Sequence, residues 1–301
     1  MSSHRSPIDR FTLGKQLTRA ANASVADILA ELPEQPSHSA VRIGITGPPG
    51  AGKSSLVARL CRRRLKGENG AGRRVGVIAV DPTSPYTSGA ILGDRIRMED
   101  VSDHENLFIR SLASRGAHNG LADNLPEILL TMDGHDFDDV IVETVGIGQV
   151  ECAVRDLVDT TVLVLNPESG DQVQAMKAGV LEAADIIVVN KSDLPGAGKI
   201  AAEIQSVIKI RQYTGQAWIP RVLMTSHQDE PGLAALDSTL FEHLAWARSS
   251  RNPVETRRAR LAYHLQTLLT RRSAEIIRQL PAESLDTDLS EAFQKLVDSL
   301  R

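Results

Sequence analysis

One stretch, VRIGITGPPGAGKSS at residues 41–55, constrains this 301-residue chain more than any other. The apolar run from Val41 to Thr46 reads as a buried strand. Gly47-Pro48-Pro49-Gly50-Ala51-Gly52-Lys53-Ser54 then matches G-x-x-x-x-G-K-[ST] at every fixed position. A helix-favouring apolar stretch, Leu56 to Cys61, follows. A phosphate chain needs this order of parts. Small residues let backbone N–H groups turn inward around an anion. The helix that starts here aims its positive end at the same point. Lys53 is spaced to reach β- and γ-phosphates, and the Ser54 hydroxyl to ligate Mg²⁺. Gly47, Pro48, Pro49, Gly50, Ala51, Gly52, Lys53, Ser54 and Ser55 are therefore the expected phosphate-binding set. The loop implies a nucleoside triphosphate without naming the base. The bland alternative is a glycine-rich turn that binds nothing, and having strand, loop, Lys and Ser all in order disfavours it.

From Val41 onward short β-branched runs alternate with helical stretches. Candidate strands are 41–46, 75–80, 107–110, 139–143, 161–165, 185–190 and 219–224. This alternation predicts an α/β fold of the P-loop NTPase type, a mostly parallel sheet flanked by helices. Function in such sheets sits at the carboxyl ends of the strands. The second strand ends in Asp81-Pro82, and Asp94 follows within GDRIRM. An acid beside a phosphate loop can hold Mg²⁺ directly or through water, whereas Asp-Pro is also a common turn initiator. The small and polar residues from Thr83 to Gly89 suggest a switch around Asp94. The fourth strand ends in Glu143-Thr144-Val145-Gly146-Ile147-Gly148-Gln149. An acid followed three residues later by glycine suits sensing of a γ-phosphate: the acid acts through Mg²⁺ and the Gly146 N–H on the phosphate. Either Gln149 or Glu143 would orient the attacking water.

Asn190-Lys191-Ser192-Asp193 matches N-K-x-D at another strand end. Here the base is decided. The Asp193 carboxylate can accept from guanine N1–H and the 2-amino group, a donor pair that adenine lacks. Lys191 lies along the base plane and Asn190 braces the loops. The last strand leads to Thr225-Ser226-His227, the expected place for a backbone N–H that meets the guanine carbonyl.

Other features bound the reading. The net charge of −4 gives no electrostatic case for nucleic acid or an anionic membrane. The chain has no apolar run of membrane-span length and no secretory signal at MSSHRSPIDR, which predicts a cytoplasmic setting. Cys61 and Cys152 form no metal or disulfide pattern and read as packed thiols. The basic run Arg62, Arg63, Arg64, Lys66, Arg73 and Arg74 reads as a solvated helix end and loop. Asp133-Gly134-His135 begins like a histidine cobalamin-binding motif, but Asp138 occupies the required glycine position, which leaves His135 as a surface residue. Three units are expected: an N-terminal helical segment (1–39), a nucleotide-binding domain (40–248) and a C-terminal helical segment (249–301). In the last, residues 253–280 and 288–300 carry apolar positions at helical spacing that either pack on the sheet or form a homodimer interface.

Taken in order, GPPGAGKSS, VDPTSP, GAILGDRIRM, VETVGIGQVE, ADIIVVNKSD and WIPRVLMTS resemble the methylmalonyl-CoA mutase-associated GTPases of the MeaB/ArgK type over about residues 10–280. The resemblance implies a homodimeric G protein that hydrolyses GTP to GDP with Mg²⁺. It also implies a chaperone that gates cofactor delivery to an adenosylcobalamin-dependent acyl-CoA mutase. It assigns Lys53, Asp81, Asp94 and Glu143 to phosphate, Mg²⁺ and hydrolysis. Gly170 to Lys177, with Asp171, Gln172, Gln174 and Lys177, resembles the family's partner-contacting switch. His227 departs from the family's usual Ala, and Ala178 stands where a second Lys is common. The runners-up are a nickel-insertion GTPase, which would want a Cys/His cluster, and a small-molecule kinase, which would have no use for N-K-x-D.

Overall fold

The computed structural model describes residues 6–31, 39–67, 72–81, 103–113, 122–144, 154–169, 181, 184–210, 217–284 and 286–300. Its centre is a seven-stranded sheet. The strands are β1 (Val41–Thr46), β2 (Val75–Asp81), β3 (Leu107–Ala113), β4 (Asp139–Thr144), β5 (Thr160–Leu165), β6 (Ile186–Val189) and β7 (Arg221–Met224). Their order is β3-β2-β4-β1-β5-β6-β7, and every pairing is parallel. Each sequence-derived strand is present, within a few residues at its ends. The runs were legible because central parallel strands are covered on both faces. β4, β5 and β6 are buried at every position.

Eight α-helices complete the described residues: α1 (Arg10–Asn22), α2 (Val25–Ala30), α3 (Lys53–Lys66), α4 (Leu125–Asp133), α5 (Ala197–Ile210), α6 (Glu230–Ser250), α7 (Pro253–Gln279) and α8 (Leu289–Ser299). Side chains alternate across the sheet, so each strand feeds two cores. On one face Ile43, Ile45, Ile141 and Val162 pack with Leu56 and Leu60 of α3 and Leu236 and Leu240 of α6. On the other, Val140 and Val142 pack with Leu13 and Leu17 of α1 and Ile128 and Met132 of α4. A third cluster joins Leu163, Leu165 and Ile187 to Ile200 and Ile204 of α5.

The basic run is not a solvated face. Arg62 and Lys66 do point outward, but Arg64 is buried at the carboxyl end of α3. Its Nη1 lies 2.8 Å from Asp139 and its Nε donates to Asp237 at 3.0 Å. Arg73 Nη2 donates to Asp139 at 2.9 Å, and Arg63 Nε to Asp237 at 3.1 Å. The Phe241 ring sits 5.0 Å from the Arg64 guanidinium. Helix α6 closes over this turn, and two buried carboxylates are what let the arginines leave water. Cys61 is buried beside them, and that burial pushes its thiol up to about 12, as befits a packed side chain. Cys152 lies outside the described residues. His135 is half-buried and its Nε2 lies 2.6 Å from Gln16 of α1.

The 27-residue α7 packs one face on the body of the protein. Arg260 reaches Asp159 at 2.6 Å, and Arg271 and His264 meet the buried Glu127 of α4 at 3.0 and 3.2 Å. Leu268 packs on Val25 and Ile28 of α2. Along the flank of that face Leu261, Leu265 and Leu269 stand at 55%, 55% and 60% exposure, with Leu289 and Phe293 of α8 also exposed. No helix among the described residues is long and apolar enough to cross a membrane.

Candidate nucleotide site

Strand β1 lies at the centre of the sheet, between β4 and β5, where chain progression reverses direction. That switch point opens a crevice at the strands' carboxyl ends, and the loop 47–52 fills it. Gly47 has φ 142°, and a Cβ there would fall 2.0 Å from the Val164 carbonyl oxygen, so the turn out of β1 admits no side chain. Gly52, at φ 86°, ends the loop and starts α3 with no side-chain cap. The first N–H groups of α3 therefore remain directed into the loop. Lys53 is buried and folds over the loop, donating from Nζ to the Gly47 carbonyl at 2.8 Å and the Pro48 carbonyl at 3.1 Å. Ser55 is exposed on the first turn of α3.

Ser54 and Glu143 come together. The Ser54 hydroxyl donates to Glu143 Oε1 at 2.6 Å, and both side chains are buried. The register of β2 on β4 pairs Ala79 with Glu143 and Val80 with Thr144, which brings the end of β2 at Asp81 to the same edge. A hydroxyl and a carboxylate, both hard oxygen donors, suit Mg²⁺, which takes one or two protein oxygens alongside substrate phosphates and water. The Asp81 side chain, Asp94, Gly146 and Gln149 lie outside the described residues, as do Asp171, Gln172, Gln174 and Lys177.

The base-reading loops are joined to the phosphate loop through Asn190. Its Nδ2 donates to the Ala51 carbonyl at 2.8 Å, and its Oδ1 accepts from Thr225 Oγ1 at 3.0 Å. Its own N–H donates to Leu165 at 2.7 Å. Lys191 takes a left-handed φ of 55° and its Nζ lies 3.8 Å from Glu168. Asp193 is exposed two residues on, able to face a base from solvent. Ser192 N–H donates to the Thr225 carbonyl at 2.9 Å, which sets the N-K-x-D loop beside Ser226 and His227; His227 is exposed.

Two residues of this arrangement, Asn166 and Arg59, went unread in the sequence, as did the side-chain role of Thr225. Asn166, just beyond β5, has Nδ2 at 3.4 Å from the Gly50 carbonyl. Thr225 locks Asn190, and Arg59 of α3 grips the loop after β7. Asn166 and Thr225 at least stand at strand ends, where every other motif stands. Arg59 gave no signal, because its partners are two main-chain carbonyls and the carboxylate of Glu230, all from a distant part of the chain.

A parallel sheet with a G-x-x-x-x-G-K-S loop after β1, a Ser–acid pair on its rim and N-K-x-D after β6 defines a P-loop GTPase. The chain matches the family described as "Methylmalonyl Co-A mutase-associated GTPase MeaB" over residues 11–281, and it belongs to that family. A putative GTPase of Pyrococcus horikoshii is 38% identical over 292 residues, covering 96% of this chain and 88% of the relative. The mouse "Methylmalonic aciduria type A homolog, mitochondrial" is 37% identical over 218 residues, 71% of this chain and 52% of the mouse protein. Among solved structures, one titled "LAO/AO transport system kinase" aligns with a TM-score of 0.61 at 23% identity, covering 98% of this chain and 99% of its own, a likeness of fold.

Proposed function

We propose that this GTPase is a G-protein chaperone of an adenosylcobalamin-dependent acyl-CoA mutase, methylmalonyl-CoA mutase or a relative, and that GTP hydrolysis gates cofactor delivery to it. The observation that carries the gating is the Ser54–Glu143 bond at 2.6 Å. It joins the head of the phosphate-loop helix to the start of the E-T-V-G segment, so a change at the γ-phosphate acts directly on the chain that leads to the switch. The family match and the mouse relative's name support the mutase as partner.

In this reading Lys53 leaves its loop carbonyls to neutralise the β- and γ-phosphates. Ser54, Glu143, Asp81 and Asp94 are the oxygen ligands offered to Mg²⁺, which when bound supplies charge neutralisation of the triphosphate. Gly146 N–H meets the γ-phosphate, and Gln149 or Glu143 orients water for in-line attack. Asn190, Lys191 and Asp193 read guanine, with Ser226 and His227 at its carbonyl. Asp171, Gln172, Gln174 and Lys177 touch the mutase.

The chain acts as a homodimer in this proposal. The exposed Leu261, Leu265 and Leu269 repeat every four residues on α7, along the flank of the face that packs on the protein's own body. A second copy is the simplest cover for such a stripe. The working compartment is the cytoplasm, although the mouse relative's name places that protein in mitochondria. The test is GTP turnover with and without purified mutase. Stimulation of several-fold supports the reading; an unchanged rate with a mutase that binds no nucleotide form contradicts it. For the dimer, Leu265→Asp should sediment as a monomer where the native chain sediments as a dimer.

A further inference from the structure

Arg59 is a charged residue that the sequence placed in an apolar helix, and the fold buries it to 7% exposure. It leaves α3 and crosses to the loop after β7. Its Nη1 donates to the Ser226 carbonyl, and its Nη2 to the Asp229 carbonyl at 2.9 Å and to Glu230 Oε1 at 3.3 Å. One guanidinium thus holds both ends of the turn Ser226–Asp229, which the Asp229 N–H closes onto the Ser226 carbonyl at 3.2 Å. The described chain has no cis peptide bond. In a trans peptide the C=O and the following N–H point in opposite directions. Fixing the Ser226 carbonyl on Arg59 therefore turns the His227 N–H away from α3. That N–H donates to no other described residue.

We propose that Arg59 is a positioning residue for base recognition: by gripping the Ser226 carbonyl from the phosphate-loop helix, it aims the His227 N–H at the six-position carbonyl of a guanine or hypoxanthine base. The inference rests on the guanine-nucleotide reading of this site. It gives α3 two tasks. Its first turn faces the phosphates, and its second holds the loop that reads the base, so both ends of one nucleotide are registered on one rigid element. A rigid link of this kind places a single amide without needing a particular side chain at position 227, and so it accommodates the histidine there.

The test compares GDP, IDP, ADP and inorganic pyrophosphate as competitors of a fluorescent GDP analogue. Arg59→Met keeps the buried aliphatic length and removes the donors. It should weaken GDP and IDP about tenfold, the worth of one hydrogen bond to the base, while pyrophosphate stays within about twofold. Arg59→Lys, which can still donate to one carbonyl, should lie between. His227 stands at the second position of the turn, which tolerates proline. His227→Pro removes the N–H itself, should cost the same factor, and should add nothing in an Arg59→Met background. If Arg59→Met fails to fold, Arg59→Lys and His227→Pro carry the comparison. Unchanged GDP binding, or equal weakening of GDP and pyrophosphate, overturns the proposal. A native protein that binds ADP as well as GDP removes the guanine reading and this inference with it, a result separate from any behaviour of the variants.

Discussion

Asn190→Ala puts the junction of phosphate loop and base loops to the test. Asn190 is buried and makes two side-chain bonds, at 2.8 Å to the Ala51 carbonyl and at 3.0 Å from Thr225 Oγ1. Ala51 and Thr225 are themselves fully buried. Truncation leaves a carbonyl and a hydroxyl without these partners, at roughly 1–3 kcal/mol each. The expected loss is about 2–4 kcal/mol of unfolding free energy, since water entering the vacated volume recovers part of it. Thr225→Val alone should cost about 1 kcal/mol. In the double variant the orphaned hydroxyl is gone, so the total should fall short of the sum by about 1 kcal/mol. Urea unfolding followed by tryptophan emission measures this, because Trp218 and Trp246 are the two tryptophans and lie in one cluster on α6 and the approach to β7. GDP binding should weaken about tenfold as the two loops lose their common brace. A loss under about 0.5 kcal/mol, or single effects that simply add, would refute the brace.

Other outcomes follow from the same geometry. Lys53→Ala should lower GTP turnover at least about 100-fold, since a single preorganised cation is lost at the phosphates, with the fold retained by circular dichroism. Asp193→Asn should weaken GDP by about 100-fold and shift preference toward xanthosine nucleotides, whose extra carbonyl meets the new amide donor; competition binding reads both. Burial alone would raise the Asp185 carboxyl, but the hydrogen bond and charge of His243, the Thr161 N–H and Arg251 together hold it below its ordinary 3.8. Because the unfolded carboxyl holds its proton more tightly, this pairing stabilises the protein above about pH 4 and is lost as pH falls through the lower folded value. Trp218 stands 4.8 Å from His243, so acid titration of tryptophan emission should show this step, and Asp185→Asn should abolish it.

The sheet was legible because its strands are continuous β-branched runs, and the phosphate loop because its glycines serve needs that no other residue meets. Gly47 is the clear case: its close approach to Val164 is a backbone requirement written as a residue type. Glu143 and Asn190 were legible as strand-end positions, and the fold brings them to Ser54 and Ala51. Arg64 misled, since a charged run looks solvated until Asp139 and Asp237 arrive from distant elements to neutralise it. Arg59 was silent for a related reason: two of its partners are carbonyls, which carry no residue identity, and the third, Glu230, comes from a distant element. The C-terminal helices gave their own boundaries, but which face of α7 packs inward depends on Glu127 and Asp159, contributed by other elements.

In the proposed function, nucleotide state and partner binding are linked through the segment after Glu143. The direct measurement is the affinity of this chain for the mutase with a non-hydrolysable GTP analogue and with GDP, beside the affinity of each nucleotide with and without mutase. Linkage requires both pairs to differ by the same factor. A difference of about fivefold or more is expected in each. Equal mutase affinity in the two nucleotide states, with the mutase bound in both, would contradict it.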